Sequence, residues 1–396
     1  MRKTFALAFA AVLALAAPAL AQAPERMGAD QPTAAGRNQA QALSFAGGRV
    51  WLALGFGNTF MVTTKAGNVI VDTSSAANVA RHRALLTAVS RAPTRDIILT
   101  HAHGDHTGGV AAWKEAGTHV IGQANEVEFR NYQTRLNGFF GVRNAAQYNA
   151  PGLRAVGNPN PGNYAAPPLA DVLFEKDYKF KLGDLTFDCF AAPGETPDHV
   201  NVWIPELKAV FIGDNYYASF PNLYTLRGTE TRPALNYVNS LNRVLALKPE
   251  IVFPSHGPPI VGAANVQKTL TQYRDAILFV HDATVRGMNE GKDVFTLMKT
   301  IKLPPELEVG EGYGALTWSV RGIYEGYVGW FDTDPATMYP TAPSDTDREL
   351  AKLAGGADPI AARAEALVAT DPALALRLTS AALAADPAHK GALTAR

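Results

Sequence analysis

The chain has 396 residues, 47% apolar and 18% charged, with 36 basic and 36 acidic side chains. That length accommodates one large domain and an appendage, and a formal charge of zero supplies no pull towards nucleic acid or an anionic membrane. A single cysteine, Cys189, excludes an intrachain disulfide and a thiolate metal cluster. It lies in the apolar run Leu185–Phe190 and reads as a small core residue.

Taken in order, residues 1–23 are not fold. Met1-Arg2-Lys3 precedes an apolar run from Phe5 to Leu20, and Ala19-Leu20-Ala21 and Ala21-Gln22-Ala23 are small-x-small cleavage sites. The expectation is a cleavable signal peptide and export, to a bacterial periplasm. No later segment approaches the ~20 apolar residues that span a bilayer. Residues 24–44, rich in Ala, Gln, Pro and Gly, read as a flexible lead-in.

Short strand-like runs then follow: Val50–Leu54, Thr59–Thr64 and, after a turn at Gly67-Asn68, Val69–Thr73. Ala76–Ser90 is helical by composition, and Asp96–Leu99 is a buried strand. Asp72, at a strand end, either orients a ligand histidine or caps the following helix. Directly after Leu99 comes Thr100-His101-Ala102-His103-Gly104-Asp105-His106-Thr107-Gly108-Gly109. Imidazoles and a carboxylate this dense would repel or compete for protons, and a bound cation removes that difficulty; these are ligand types that Zn²⁺ takes in catalytic sites.

Val110–Ala116 reads as a helix and Val120–Gly122 as a strand. Residues 127–170, polar and aromatic without a clear period, read as an irregular insertion that shapes a substrate site. Three more ligand types then stand at ends of apolar strands: His199 before Val200–Ile204, Asp214 after Val210–Gly213, and His256 after Ile251–Pro254. His82, His119, His281 and His389 lack that setting and read as structural or solvated. Glu195 is an extra carboxylate beside the ligand run, either supporting a ligand or solvated on its loop. From about Asn265 to Met288 the apolar spacing predicts one long amphipathic helix. The last fifty residues are Ala- and Leu-rich with Asp-Pro at 358, 371 and 386, each read as a helix start.

The His-x-His-x-Asp-His run after a strand resembles the signature of the metallo-β-lactamase fold, a four-layered αββα sandwich in the α/β class. The resemblance implies a catalytic domain over 45–335, with a helical extension from about 263, and a helical, tetratricopeptide-like segment of dimerisation type over 336–396. One zinc would be held by His101, His103 and His199, and a second by Asp105, His106 and His256, with Asp214 between them or on the second. Two cations acidify a bound water and polarise the scissile bond, so the expected output is hydrolysis. His and carboxylate ligands also accept iron or manganese.

Beyond the metal motif, Ala146-Gln147-Tyr148, Asn222–Gly228, Gly312-Tyr313-Gly314, Tyr327–Asp332 and Gly355–Asp358 resemble the zinc-dependent alkylsulfatases. By that resemblance Arg227, Tyr148 and Tyr313 would hold a sulfate group, and a guanidinium fork suits a tetrahedral oxyanion. Where that family has glutamates, the chain is read as placing His199 and, in Gly213-Asp214-Asn215, Asp214. The expected function is a dinuclear zinc hydrolase of alkyl sulfates, working on a small anionic ester as a homodimer, with neither nucleic acid nor an integral membrane segment involved. The alternatives are hydrolysis of a β-lactam, lactone or phosphoester on the same fold, or a periplasmic metal or oxyanion binder without activity.

Overall fold

The computed structural model describes residues 35–147 and 168–396; the expected signal peptide, the lead-in as far as residue 34, and Tyr148 lie outside the described residues. The chain divides into one compact unit that runs to Tyr327 and another over Val328–Arg396.

In the first unit seven strands form a sheet in chain order: β1 (Leu43–Phe45), β2 (Val50–Ala53), β3 (Thr59–Thr64), β4 (Gly67–Val71), β5 (Thr94–Ile98), β6 (His119–Gln123) and β7 (Val172–Phe174). Strands β1 to β4 are antiparallel neighbours, and β4 to β7 are parallel. A second sheet has six strands: β8 (Asp177–Leu182), β9 (Leu185–Ala191), β10 (Val200–Ile204), β11 (Ala209–Gly213), β12 (Ile251–Pro254) and β13 (Ile260–Val261). Only β11 and β12 pair in parallel. The turn after β3 is Lys65-Ala66, with Gly67 and Asn68 already paired to Thr64 and Thr63, so the hairpin turns two residues earlier than the Gly-Asn signal suggests.

Strand alternation decides the layers. Phe60, Val62, Val69 and Val71 point inward to meet Phe187, Val202, Phe211 and Phe253 of the second sheet. Phe211 stacks on Phe253 (4.7 Å between centroids), and Phe60 meets both edge to face at 5.2 and 5.4 Å. Truncating such a ring to Ala costs about 3–5 kcal/mol. The intervening Met61 and Ile70 face outward onto α1 (Val79–Thr87), with Trp113 at the end of the short helix α3 (Val110–Trp113). Val210, Ile212 and Val252 face the opposite way, onto α6 (Ala234–Ala246), α7 (Ala263–Asn289), α8 (Val294–Thr300) and α9 (Leu316–Val328). The result is the αββα sandwich, and strands buried on both faces explain the unbroken apolar runs of β4 and β11. The short α2 (Gly104–Thr107) lies within the histidine-rich loop.

The start of the expected irregular insertion is instead a pair of helices, α4 (Glu126–Arg135) and α5 (Asn137–Gln147). Their packing runs through Phe129, Tyr132 and Phe140 rather than through an aliphatic stripe, which hides the helical period.

The second unit holds α10 (Pro335–Met338), α11 (Pro343–Leu353), α12 (Ala357–Leu367), α13 (Pro372–Ala385) and α14 (Lys390–Ala395) around a small core of Ala351, Ile360, Ala361, Ala381, Ala382 and Ala392. Asp371 caps α13 through the Leu374 N–H. Asp386-Pro387 closes α13 rather than opening α14, which His389 caps. Trp330, Tyr339 and Leu353 of this unit are 67–85% exposed. No helix among the described residues is long and apolar enough to cross a membrane.

Candidate metal centre

The parallel pairs bring strand carboxyl ends together. Asp72 follows β4, the His101–His106 loop follows β5, Asp214 follows β11 and His256 follows β12, while Glu195, Asp198 and His199 lie between β9 and β10. Backbone bonds then lock the two sheets at this edge: Val200 N–H donates to Thr100 O (2.7 Å) and Asn58 N–H to Ser255 O (2.8 Å). Buried Asp198 accepts from Ala102 N–H at 2.8 Å, fixing the backbone between His101 and His103.

Six of the seven expected ligands converge. His106 Nε2 lies 3.4 Å from both Asp105 Oδ2 and Asp214 Oδ2. His256 Nε2 lies 3.3 Å from Asp105 Oδ2 and 3.1 Å from Asp214 Oδ2, and His101 Nε2 lies 3.8 Å from Asp214 Oδ2. His103 Nδ1 is 2.8 Å from His101 Nε2. Glu195 joins them, with Oε1 3.8 Å from His103 Nδ1. His199 stacks on His101, but its Nε2 accepts from Asp214 N–H (3.0 Å) and its Nδ1 lies 3.2 Å from the Asn215 amide nitrogen. Glu195 therefore stands next to His103 where the sequence reading put His199. Gly213 permits this packing: at φ +51°, a Cβ there would lie 2.3 Å from His199 Nε2.

The donor set fits a cation pair. His106 Nε2 and Asp214 Oδ1 are buried with no hydrogen-bond partner, an arrangement that costs free energy unless something fills it. Donors 3.1–3.8 Å apart match tetrahedral ligands at about 2.1 Å from an ion, whose edges are about 3.4 Å. Three groups of donors qualify: His101, His106 and Asp214; Asp105, His106 and His256; and His103, Glu195 and Asp214.

Asp72 sets the tautomers. Its Oδ2 lies 3.0 Å from His106 Nδ1, which leaves Nε2 for a cation. The same carboxylate accepts from Thr100 Oγ1 (2.8 Å), which in turn faces His101 Nδ1 (3.1 Å), and from Ser255 Oγ (2.6 Å) and Thr100 N–H (2.8 Å). Asp72 holds this place at φ +54°, a conformation that a non-glycine residue adopts at a cost of about 1 kcal/mol or more. Of the two roles open for it, the structure places it against ligands.

Charge completes the site. Burial and neighbouring cationic groups push His101 and His103 well below the ordinary histidine range, and burial lowers His199 to about 4. Burial works the same way on His106 and His256, but Asp214 and Asp105 more than offset it, holding His106 well above its ordinary value and His256 at about 10. The same histidines keep Asp105 and Asp214 well below the carboxylate range despite burial. Without metal, protons on histidine take the place of cations.

A cavity of about 430 Å³ opens beside His103 and Glu195, walled by Phe129, Tyr132, Arg232 and Pro233. Arg227 Nη1 lies 3.2 Å from Tyr313 Oη, and its charge acts on both His103 and Glu195. The structure thus brings two of the three expected sulfate-holding residues together. The sequence reading missed Arg232, buried and 2.7 Å from Glu195, and left Glu195 undecided; Glu195 lies on the β9–β10 connection, four residues past the end of β9, and its only signal in the sequence is a carboxylate close to the ligand run.

The model of the Metallo-beta-lactamase superfamily matches residues 52–256. The chain belongs to that superfamily. A second model, Alkyl sulfatase dimerisation, matches residues 295–396. Among superfamily relatives, the linear primary-alkylsulfatase of Pseudomonas sp. (strain ATCC 19151) is 31% identical, covering 76% of this chain and 61% of its own length. The (R)-specific secondary-alkylsulfatase of Pseudomonas sp. is 27% identical over 85% of this chain and 55% of its own. The chain thus spans between half and two thirds of these relatives. The fold is that of a stereoselective inverting sec-alkylsulfatase from Pseudomonas sp. (TM-score 0.76, 23% identity, 87% of this chain and 59% of that one).

Proposed function

We propose that this chain hydrolyses sulfuric esters of the alkyl sulfate type at a pair of zinc ions. The observation that carries the reading is the Arg227–Tyr313 pair, 3.2 Å apart, with the Arg227 charge felt at His103 and Glu195 of a cluster of three carboxylates and four histidines. His101, His103 and Glu195 hold the first cation; Asp105, His106 and His256 hold the second; Asp214 lies between them. When bound, such ions lower the pKa of water and stabilise negative charge that develops on the reacting ester.

The chain's own groups do the rest. Arg227 and Tyr313 bind the sulfate oxygens, matching a planar donor fork to a tetrahedral anion. Phe129 and Tyr132 cover the cavity wall beside His103 and limit the water reaching it. A neutral lactam or lactone needs no anion clamp on its reacting group, which favours the sulfate ester. The alkylsulfatase activities of the two Pseudomonas relatives support the same reading.

Export through residues 1–23 and pairing of two copies through the helices after Val328 belong to this proposal. The family match over 295–396 and the exposed Trp330, Tyr339 and Leu353 support the pairing.

Zinc content, measured together with sulfate release from dodecyl sulfate, nitrocefin hydrolysis and lactone hydrolysis, tests the function. Two zinc ions per chain with sulfate release are expected. Two zinc ions with turnover of lactam or lactone alone would refute the substrate assignment, and bound zinc with no hydrolysis of any kind would favour a binding protein.

A further inference from the structure

Glu195 is the ligand whose position the strands determine least, because it lies on the connection between β9 and β10 rather than directly at a paired strand end. Its carboxylate is nevertheless held from two sides. Arg232 Nη1 lies 2.7 Å from Oε1, with both side chains at most 5% exposed, and Tyr217 Oη donates towards Oε2 at 3.4 Å. Both holders are tied to one residue: Arg232 Nη1 donates to Asn222 O (3.1 Å), and Asn222 N–H donates to Tyr217 Oη (2.9 Å). Arg232 N–H also closes onto Leu223 O (2.9 Å), so the segment that carries Arg227 begins and ends at this anchor.

We propose that Arg232 is the positioning residue of the first cation position: it aims the Glu195 carboxylate at His103 and fastens that carboxylate to the segment bearing Arg227. This role rests on the proposed assignment of Glu195 as a ligand. A guanidinium suits the role because it carries several donors in a fixed plane and stays charged when buried. One nitrogen serves both the carboxylate and a backbone carbonyl, so neither is left unpaired in a region that excludes water. A lysine would supply the charge without the fork. The arrangement also explains an otherwise unfavourable choice, a buried arginine lining the cavity beside a proposed cation position: the Glu195 carboxylate, 2.7 Å away, offsets the repulsion.

The test is chelator competition for zinc on metal-depleted full-length protein, resolving the two equivalents, for Arg232→Gln, Arg232→Lys, Glu195→Gln and the Glu195→Gln/Arg232→Gln double variant. Arg232→Gln should weaken one equivalent by about 10- to 100-fold, the usual effect of removing a residue that orients a ligand, and leave the other within about twofold. Arg232→Lys should lose less. In the Glu195→Gln background, the arginine change should add less than about threefold, because the group it positions is gone. If Arg232→Gln keeps both affinities while Glu195→Gln loses one, the positioning role is overturned and the ligand assignment stands. If Glu195→Gln itself keeps both, the ligand assignment fails and the positioning role with it. Should Arg232→Gln fail to fold, Arg232→Lys and Glu195→Gln still decide: equal affinities in the unaltered and Arg232→Lys proteins, with one equivalent lost in Glu195→Gln, would also overturn it.

Discussion

Replacing Asp72 by Asn keeps the shape of a side chain that touches neither solvent nor cavity, removes its charge and turns one acceptor oxygen into a donor NH₂. In the native site, Oδ1 accepts from Thr100 N–H, while Oδ2 meets Thr100 Oγ1, Ser255 Oγ and His106 Nδ1 at 2.6–3.0 Å. A hydrogen bond to a charged group is worth about 1.5–3 kcal/mol and a neutral one about 0.5–1.5, so each bond kept loses about 1 kcal/mol. The amide NH₂ takes the place of Oδ2. The two hydroxyls can rotate to accept from it, but the His106 Nδ1–H cannot and is left facing a donor, which adds about 1–2 kcal/mol. The sum is roughly 4–5 kcal/mol against the native arrangement. It is relieved when His106 changes tautomer, and that turns a protonated Nε2 towards the cation position. Asp72→Asn is therefore expected to lower zinc affinity by at least about 10- to 100-fold and to lower the denaturation midpoint of the metal-free protein. Chelator competition and urea unfolding of the metal-free protein measure the two. A variant with affinity within about twofold of the unaltered protein, and an unchanged midpoint, would refute the tautomer argument.

His101→Ala and His256→Ala should each cost one bound metal and abolish hydrolysis, read by elemental analysis and sulfate release; full activity in both would sink the site assignment. Arg227→Ala should keep both metals while sulfate-ester turnover falls by about 10²–10³-fold, the usual loss on removing a donor aimed at developing charge; normal hydrolysis of alkyl sulfates would remove the anion clamp. In the metal-free protein His106 and His256 are held above their ordinary value, His256 at about 10, so both are charged at neutral pH. Zinc needs them neutral, and binding near pH 7.5 should release about two protons, with affinity falling as pH falls; calorimetry in buffers of different ionisation enthalpy reads this, and release below half a proton would contradict it. The sign for stability follows from the raised values: the ion pairs of His256 stabilise the metal-free fold fully below about pH 6.5 and are lost as pH rises towards 10.

What the sequence by itself determined is whatever depends on local order. The strand Thr94–Ile98 and the run His101–His106 are contiguous, so their ligand chemistry is legible without a fold. Asp214 and His256 were legible because each follows the end of a buried apolar strand by one or two residues, and such a strand leaves little choice of where the residues after it lie. Tertiary structure decided the choice between Glu195 and His199, four residues apart on one connection. That choice depends on Arg232 and Tyr217 pulling the carboxylate inward and on the Asp214 N–H and the Asn215 amide occupying the imidazole, contacts made across 15 to 37 residues of sequence. The helices α4 and α5 were hidden for a related reason: their apolar contacts are aromatic rings spaced for each other and for His103, a pattern with no simple period. Asp72 was only half legible, because an aspartate at a strand end serves a cap or a ligand equally well until β4 and β5 are laid side by side and Thr100 comes within 2.8 Å of it.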